Sequence, residues 1–287
     1  MIATLALAGA LFFDDFSQAD RQALVQSGWT LRDKIGHPGI VGARWDAGHI
    51  ELVADPQQPN NRLLRLHAAT DGTPEGSYQT QLCRAPKTLW GTTSARIRFS
   101  DQPHTGADGD AVIQAFFQVS PLRFDYDPLF SELDWEYLPN GGWGATETRL
   151  YGIAWQTVRL EPWDAHNLST EVKRSFGDRW TQLTVQSTPQ GSRWFVDGRQ
   201  VAWHAGRTVP RQAMSLAFSH WFSPSGLLPV SAGAPRHYSF DVDWVLHLPD
   251  QSASPQAMRQ RVQALRRAGV AQQDNLPPPE QPARCDF

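Results

Sequence analysis

The segment from Ser131 to Leu138 carries an acid at every second position, and it constrains the fold more than any other feature of the chain. Successive side chains of a β-strand point to opposite faces, so Glu132, Asp134 and Glu136 would share one face. Apolar residues supply bulk for burial at the remaining positions: Leu133, Trp135 and Leu138. The run therefore predicts a strand with three carboxylates on one face and a packed face behind them.

Two interpretations of these acids stay open when they are taken alone. An antiparallel strand often has a polar face toward solvent, which produces the same pattern. However, neighbouring like charges repel, so a purely structural strand gains little from three of them. Cleavage of a glycosidic bond needs one protonated and one ionised carboxyl beside the sugar. The flanks favour catalysis, because a core-like strand precedes the acids at 111–119 and a turn-rich segment with Asn140 and Trp143 follows them.

In this context the chain resembles glycoside hydrolase family sixteen, particularly its bacterial lichenase-like and plant xyloglucan-transferring branches. The resemblance covers roughly residues 12 to 248 and rests on segments in the family's order: Phe116-Phe117, 132–140, 194–198, 214–221 and 238–245. One residue separates Asp134 from Glu136, which is similar to the branch whose catalytic strand is regular. Trp135 is bulkier than the residue usual at its position in the family.

The resemblance implies an all-β fold, a two-sheet antiparallel β-sandwich of the concanavalin A-like jelly-roll type, with a cleft on its concave face. It further implies a retaining endo-β-glycosidase that cleaves a β-glucan-type polysaccharide through a covalent glycosyl-enzyme intermediate. By the match to the family motif, Glu132 is the nucleophile and Glu136 the acid/base. Asp134 would orient Glu132 and help to keep Glu136 protonated.

Six further residues are predicted to bind substrate: Asn140, Trp143, Trp155, Trp221, His220 and Trp90. An indole face stacks on the C–H face of a sugar while its N–H bonds a hydroxyl, although each of these tryptophans has an equal claim to the core. Asn140 would bond a sugar hydroxyl near the point of cleavage. Trp90 belongs to an aromatic-glycine element similar to one of the family.

No cofactor is predicted for catalysis, because the nine histidines show no metal-ligand spacing. The resemblance implies a structural calcium on the convex side, with Asp243 at the matching position. The formal net charge is −3 with acids and bases interspersed, which excludes a nucleic-acid footprint. The expected partner is a polysaccharide or oligosaccharide, and the protein is expected to be a monomer without a transmembrane segment.

The domain organisation is predicted as one β-sandwich over residues 12–250, preceded by residues 1–11 as a signal remnant or first strand. An amphipathic helix is expected at 251–270, where Met258, Val262 and Leu265 share a face that packs back on the sandwich. Residues 271–287 are expected to be a Pro-rich flexible tail. A disulfide between Cys83 and Cys285 would need this tail to fold back.

The apolar start at residues 1–13 is too short to span a bilayer. Its resemblance to a signal peptide favours a secreted or cell-envelope protein, whereas the cytoplasm is expected if these residues form a strand instead. Three alternatives to hydrolysis stay open: a transglycosylase with the same active site, a catalytically idle carbohydrate-binding protein, and a repurposed member of the fold. The intact acids argue against an idle site.

Overall fold

The computed structural model describes residues 9–224, 226–233 and 235–285 of the 287-residue chain. Strands dominate the described residues: β1 (Phe12–Asp14), β2 (Thr30–Leu31), β3 (Arg44–Trp45), β4 (Ile50–Asp55), β5 (Gln58–Thr70), β6 (Tyr78–Cys83), β7 (Gly91–Arg98), β8 (Val112–Val119), β9 (Glu132–Leu138), β10 (Arg149–Arg159), β11 (Asp164–Val172), β12 (Trp180–Thr188), β13 (Gly191–Val196), β14 (Arg199–His204), β15 (Ser215–Phe222), β16 (Arg236–Pro249) and β17 (Gln272–Asp274). The α-helices are α1 (Arg21–Gln26) and α2 (Pro255–Arg267), and short 3-10 helices occur at Ala47–His49, Gly206–Thr208 and Val230–Ala232.

The strands form two layers that pack face to face. The first layer, here called the cleft sheet, has the order β6–β15–β8–β9–β10–β11, with β2 beside β6. The second, the back sheet, has the order β4–β5–β16–β7–β12–β13–β14, and β1 and β17 continue it beyond the end of β5. The ladders of the described strands are antiparallel except for the short β3–β6 pair. The predicted antiparallel jelly-roll sandwich is thus confirmed.

The core between the layers is rich in large aromatic side chains, and its tryptophans are Trp29, Trp135 and Trp194. Trp135 on β9 packs edge to face on Trp194 of β13, with ring centroids 5.0 Å apart. Gly152 on β10 is the register partner of Trp135, and a Cβ at this glycine would lie 3.0 Å from the Trp194 ring. The absent side chain at Gly152 therefore makes room for the bulky residue behind the acids.

Helix α2 packs on the back sheet, as its amphipathic pattern predicts. Ser254 caps its N-terminus by accepting a hydrogen bond from the Ala257 N–H, and Pro255 occupies the first turn. The helix contributes Met258, Val262 and Leu265 to a buried apolar cluster. The other members lie on β1, immediately before it, or on β16: Leu11, Phe13, Trp244, Leu246 and Leu248. The basic residues on its other faces include Arg266, which donates to the carboxylate of Asp243 at 2.9 Å.

The segment after α2 differs from the predicted flexible tail, because three contacts fix it to the sandwich. Strand β17 pairs with β1, and Asp274 forms ion pairs with Arg84 and Lys87. Farther along, Cys285 forms a disulfide with Cys83 on β6. The composition of the segment is that of a linker, but backbone pairing and a partner 202 residues away in the sequence are not visible in composition.

The start of the described chain is part of the sandwich. Phe12 and Phe13 lie on β1, which pairs with β16 and β17, and both side chains are buried. Residues 1–8, which hold most of the predicted signal remnant, lie outside the described residues. In the part of the chain that the structure describes, no helix has the length and apolar character needed to cross a membrane.

Candidate active site

Strand β9 lies in the middle of the cleft sheet, between β8 and β10. Because its side chains alternate, Leu133, Trp135 and Tyr137 point into the core, where each is at most 2% exposed. The intervening side chains face the cleft on the other side of the sheet, and we call them the acid triad: Glu132, Asp134 and Glu136. The predicted strand and the shared face of the three acids are therefore present in the structure.

The strand register defines which residues lie beside each acid. One line of register partners, here called the central row, crosses the whole cleft sheet: Cys83, Ala217, Phe117, Asp134, Ile153 and Ser169. Glu132 and Glu136 lie on either side of this row, opposite Trp155 and Tyr151 of β10. A chain that runs along the central row would therefore pass between the two glutamates.

Two indole N–H groups bind the acid triad. Trp155 Nε1 donates to Asp134 Oδ2 at 2.6 Å, and Trp143 Nε1 donates to Glu136 Oε2 at 2.8 Å. The other oxygen of Asp134, Oδ1, is buried and has no hydrogen-bond partner among the described residues. The charges of Glu132 and Glu136 raise the pKa of Asp134 in addition to the larger effect of burial.

Burial dominates the protonation of the acid triad, because it disfavours charge. It raises the pKa of Glu132 to about 8 and that of Glu136 to about 7, and it raises the pKa of Asp134 well above its ordinary range. The charge of Glu136 raises the pKa of Glu132 further, while the Trp143 N–H lowers that of Glu136. The triad therefore holds at least one proton at neutral pH, beside groups that can ionise.

Tryptophans form walls on both sides of the acids. Trp143 and Trp221 lie together with ring centroids 5.9 Å apart. Trp155 meets Trp163 edge to face at 5.7 Å. The structure thus brings the three predicted tryptophans of the cleft to the acid triad, and it adds Trp163, whose side chain is 53% exposed.

The space between these walls is a cleft of about 650 Å³. Its floor includes apolar side chains such as Phe117 and Ile153, and its polar groups converge on the acid triad. A largely apolar cavity of this size with a few convergent polar groups is typical of a ligand site. The cleft is large enough for several sugar units only if they lie along the sheet.

Three of the predicted substrate-binding residues lie outside the cleft. His220 precedes Trp221 on β15, so alternation turns it into the core, where its ring packs on Phe240 and burial lowers its pKa to about 3. Asn140 donates to Asp108 and to the backbone of 110 in the turn after β9. The Trp90 N–H donates to the Pro210 carbonyl at 3.3 Å, away from the residues that line the cleft.

The surroundings of Asp243 do not suit the predicted calcium. Arg96 donates to Asp243 Oδ2 at 2.6 Å, and Arg266 and Asn61 both donate to Oδ1. Two guanidinium groups thus occupy the carboxylate and repel a cation. Within residues 9–224, 226–233 and 235–285, no set of three or more histidine, cysteine, aspartate or glutamate side chains is arranged to bind a metal.

Sequence reasoning missed several residues of the cleft. Trp163 lies in the turn between β10 and β11, and its ring stacks on His37 with centroids 5.6 Å apart. Pro282 and Arg284 of the segment after α2 also line the cleft. The second cysteine was the one available signal for the last two, because a bond to Cys83 on β6 brings residue 285 to the cleft sheet.

Several solved structures with the same fold are glycosidases. No protein-family model and no curated protein sequence matches the chain. A lichenase from a mouse hindgut metagenome is 17% identical over 84% of this chain and 99% of its own, with a TM-score of 0.58. A family 16 endo-glucanase of Bacteroides ovatus is 15% identical, covering 82% and 98%, with a TM-score of 0.60.

A galactohydrolase of a sulfated galactose polymer is similar to the same extent, at 17% identity over 86% of this chain and 97% of its own, with a TM-score of 0.59. These proteins act on different glycans, so their similarity to this chain supports its architecture but does not identify a substrate. The architecture and the expected structural relatives agree with the resemblance in the sequence. The chain has the β-sandwich fold of the glycoside hydrolases of family 16.

Proposed function

We propose that the protein is a retaining glycosidase that cleaves β-linked polysaccharides of the β-glucan type at the acid triad. The observation that supports this most strongly is the position of three carboxyls with raised pKa on one face of β9, inside an indole-walled cleft, with Asp134 buried and the two glutamates half-buried. Perturbed carboxyls in a cleft are candidates for acid/base chemistry. A surface strand would keep its acids in water.

The proposed reaction has two steps, and each of them inverts the configuration at the anomeric carbon. Glu132 attacks the anomeric carbon while Glu136 gives its proton to the departing glycosidic oxygen, which leaves a covalent glycosyl-enzyme. Glu136 then takes a proton from water as that water attacks the same carbon and releases Glu132. Retention needs carboxyls about 5 to 5.5 Å apart. Glu132 and Glu136 lie two positions on either side of Asp134, and both face the cleft across the central row from each other.

Asp134 has a separate part in this proposal. When it is protonated, its buried Oδ1 can donate to Glu132 and so stabilise the charged form of the nucleophile before attack. Trp155 holds the other oxygen of Asp134 through its N–H. Asp134 is therefore a positioning residue that orients Glu132 and favours its charged form in a cleft that otherwise favours neutral acids.

The proposed substrate is a neutral β-linked glycan that lies along the central row. Indole faces on both sides of the acids offer stacking surfaces for pyranose rings, and the cleft polar groups are few. We further propose that the protein acts as a monomer. Internal cleavage, as the sequence resemblance implies, would require the glycan to leave the cleft on both sides of the acid triad.

The disulfide supports a location outside the cytosol. Cys83 and Cys285 are paired, and disulfides persist mainly in oxidising compartments. We therefore propose a secreted or cell-envelope protein, although Phe12 and Phe13 belong to a strand rather than to a removable leader. The polymeric substrate proposed above also lies outside the cell.

The first experiment is an assay of new reducing ends on β-1,3-glucan, mixed-linkage glucan, xyloglucan and galactans. We expect the wild type to cleave at least one of them and the Glu132→Gln variant to lose nearly all turnover, because the nucleophile keeps its shape but loses its charge. The variant should still bind the same glycan. Glu75→Gln, an exposed carboxyl distant in sequence, is the matched control and should keep full activity.

The order of roles along β9 can be tested with azide. Glu136→Ala should fail on natural glycans, which need a proton on the leaving group, but should still form the intermediate from aryl glycosides. Added azide should then give a β-glycosyl azide with retained configuration. Glu132→Ala should instead give the inverted α-azide. Exchange of the two products between the variants would reverse the assignment of the nucleophile and the acid/base.

The same assay separates the alternatives. A transglycosylase would produce oligosaccharides longer than the starting material and few new reducing ends. A catalytically idle binding protein would bind glycans equally well with and without Glu132→Gln, and would release no product in either form. Turnover by the wild type that survives in Glu132→Gln would contradict catalysis by the acid triad.

A further inference from the structure

We propose that the segment after α2 closes the β6 side of the cleft, so that the protein cleaves a glycan near one chain end rather than in its interior. This inference rests on the proposed function and concerns only how the same site receives its substrate. The relevant segment is residues 282–285, held by the Cys83–Cys285 disulfide. We call it the tail wall.

The tail wall lies across the path that a glycan would follow. Cys285 and Ala283 pack on three side chains that face the cleft from β6, β15 and β8: Cys83, Ala217 and Phe117. These three are consecutive members of the central row, which passes through Asp134. Ala217 has no exposed surface because the tail wall covers it.

The distance from the acids to this obstruction is short. Ala217 is two strands away from Asp134, since β8 is the only strand between β15 and β9. Neighbouring strands lie about 4.8 Å apart, so the wall stands roughly 10 Å from the acid triad along the sheet. Pro282 and Arg284 line the cleft at this point. A wall at this distance leaves room for a short stretch of sugar between the acid triad and the tail wall.

A loop beside the tail wall narrows the same side. Arg32 donates to Gln81 of β6 and to the His37 carbonyl, and the Ile40 N–H donates to the side chain of Gln79, also on β6. These bonds fix residues 37–39 above the edge of the cleft sheet, where they line the cleft. The His37 ring stacks on Trp163, which belongs to the β10–β11 turn. This contact joins the loop at residues 37–39 to the indole wall that Trp155 and Trp163 form beside the acid triad.

The opposite side of the cleft is open. Strand β11 pairs with β10 and has no second ladder among the described strands. Its cleft-facing residues Asn167 and Ser169 line the cleft, and the strand is half-buried or exposed throughout. A glycan can therefore extend into solvent past β11 but not past β6. One closed and one open side would fix the distance of the cut from a chain end.

The test uses octasaccharides of β-1,3-glucan and of mixed-linkage β-1,3-1,4-glucan, labelled at the reducing end, with the wild-type full chain. Early products are sized by chromatography and mass spectrometry. We expect one short fragment of constant size, counted from the same chain end in every cut, and loss of central cuts. Early products distributed over the central linkages would overturn the inference while leaving the glycosidase function intact.

Two variants assign the closure to the tail wall. Cys83→Ser with Cys285→Ser removes the covalent attachment, and adding Ala283→Asp places a carboxylate where the tail would bury it against Phe117. We expect the triple variant to gain central cuts, provided that its near-ultraviolet circular dichroism shows a folded sandwich. Glu280→Ala keeps the disulfide and changes an exposed residue of the same segment that does not line the cleft, so it is the control, with the wild-type pattern.

The outcomes separate the two proposals. Central cuts in the triple variant and end cuts in the wild type support the tail wall. An unchanged product pattern in the folded triple variant would overturn the assignment to this segment. Absence of cleavage of every glycan by the wild type would overturn the proposed function, and the inference with it. The sizes of the products test the tail wall, and the presence of any cleavage tests the proposed function.

Discussion

Trp143 is the residue that most directly sets the protonation of the proposed acid/base. Its N–H stabilises the charged form of Glu136 and so lowers the pKa of that carboxyl, against the larger effect of burial. Trp155 makes the corresponding bond to Asp134. Two similar side chains thus bind two different acids. A substitution of one tryptophan is therefore a control for the same substitution of the other.

We expect Trp143→Phe to shift the basic limb of the pH profile of kcat/KM to higher pH by about 0.5 to 1 unit, allowing for the partial exposure of this indole. Removing the donor raises the pKa of Glu136, so the catalytic proton persists to higher pH. The measurement is a pH–rate profile on the best glycan. Trp155→Phe should leave this limb in place, and an unmoved limb in Trp143→Phe would contradict the role of its N–H.

Trp221 is the predicted platform whose function is hardest to separate from packing, because it is only 6% exposed. We expect Trp221→Ala to weaken glycan binding by about 1 to 3 kcal/mol, the range of aromatic stacking on other planar ligands. Calorimetry on the Glu132→Gln background measures this. Trp203→Ala, on exposed β14, is the control. Unchanged affinity with a large fall in melting temperature would identify Trp221 as a core residue.

The alternation of side chains along a strand explains one correct prediction and one wrong one. The three acids were predicted to share a face, whereas His220 was predicted to line the cleft beside Trp221. Strict alternation places Glu132, Asp134 and Glu136 on one face, and it also forbids His220 and Trp221 from sharing one. Trp163 could not be predicted, because it reaches the cleft through the fold of the β10–β11 turn. Its partner His37 belongs to a distant loop.

Among the helices and strands, α2 is the element whose contribution to the free energy of unfolding is easiest to measure by itself. Its apolar face is fully covered by β1 and β16, whereas its polar face is exposed. The helix therefore protects the outer surface of the back sheet around Trp244 and Leu246. Substitutions on its two faces should have very different effects on unfolding.

We expect Met258→Ala to lower the free energy of unfolding by about 2 to 5 kcal/mol, since it leaves a cavity at a fully buried position. Gln260→Ala, two residues away on the exposed face, should change it by less than about 0.5 kcal/mol. Urea denaturation followed by circular dichroism measures both. Equal effects at the two positions would contradict the packing of the helix on the back sheet.

Periodicity explains why the helix was predictable and the segment after it was not. The spacing of Met258, Val262 and Leu265 is a local signal, because it lies within about two helical turns of sequence. The pairing of β17 with β1 depends instead on backbone groups, and Cys285 depends on a partner in β6. Proline and polar composition therefore suggested a free tail where long-range contacts produce an ordered one.

For the whole molecule, the acid triad couples stability to pH. Its carboxyls bind protons more tightly in the folded than in the unfolded protein, so their contribution is fully present below the unfolded pKa and is lost as pH rises through the folded pKa. For Glu136 that window runs from 4.5 to about 7. Buried histidines such as His247, with pKa lowered to about 4, act in the opposite sense below pH 6.5.

A difference between variants isolates the acid contribution. Relative to wild type, Glu136→Gln should gain about 2 kcal/mol of unfolding free energy between pH 5 and pH 8, because the glutamine does not ionise. Glu75→Gln, at an exposed position, is the control and should show no such gain. Urea unfolding at both pH values provides the measurement. A constant difference across this range would contradict the raised pKa of Glu136.

The Cys83–Cys285 disulfide also has a consequence for the chain before it folds. With a sequence separation of 202, it encloses most of the polypeptide in a single covalent ring. In a chain-entropy account, closing a loop of this length disfavours the denatured ensemble by about 5 kcal/mol. The oxidised denatured protein is thus more compact than the reduced one. Reduction would open the ring and remove this constraint. The oxidation state of the two cysteines therefore changes the free energy of unfolding.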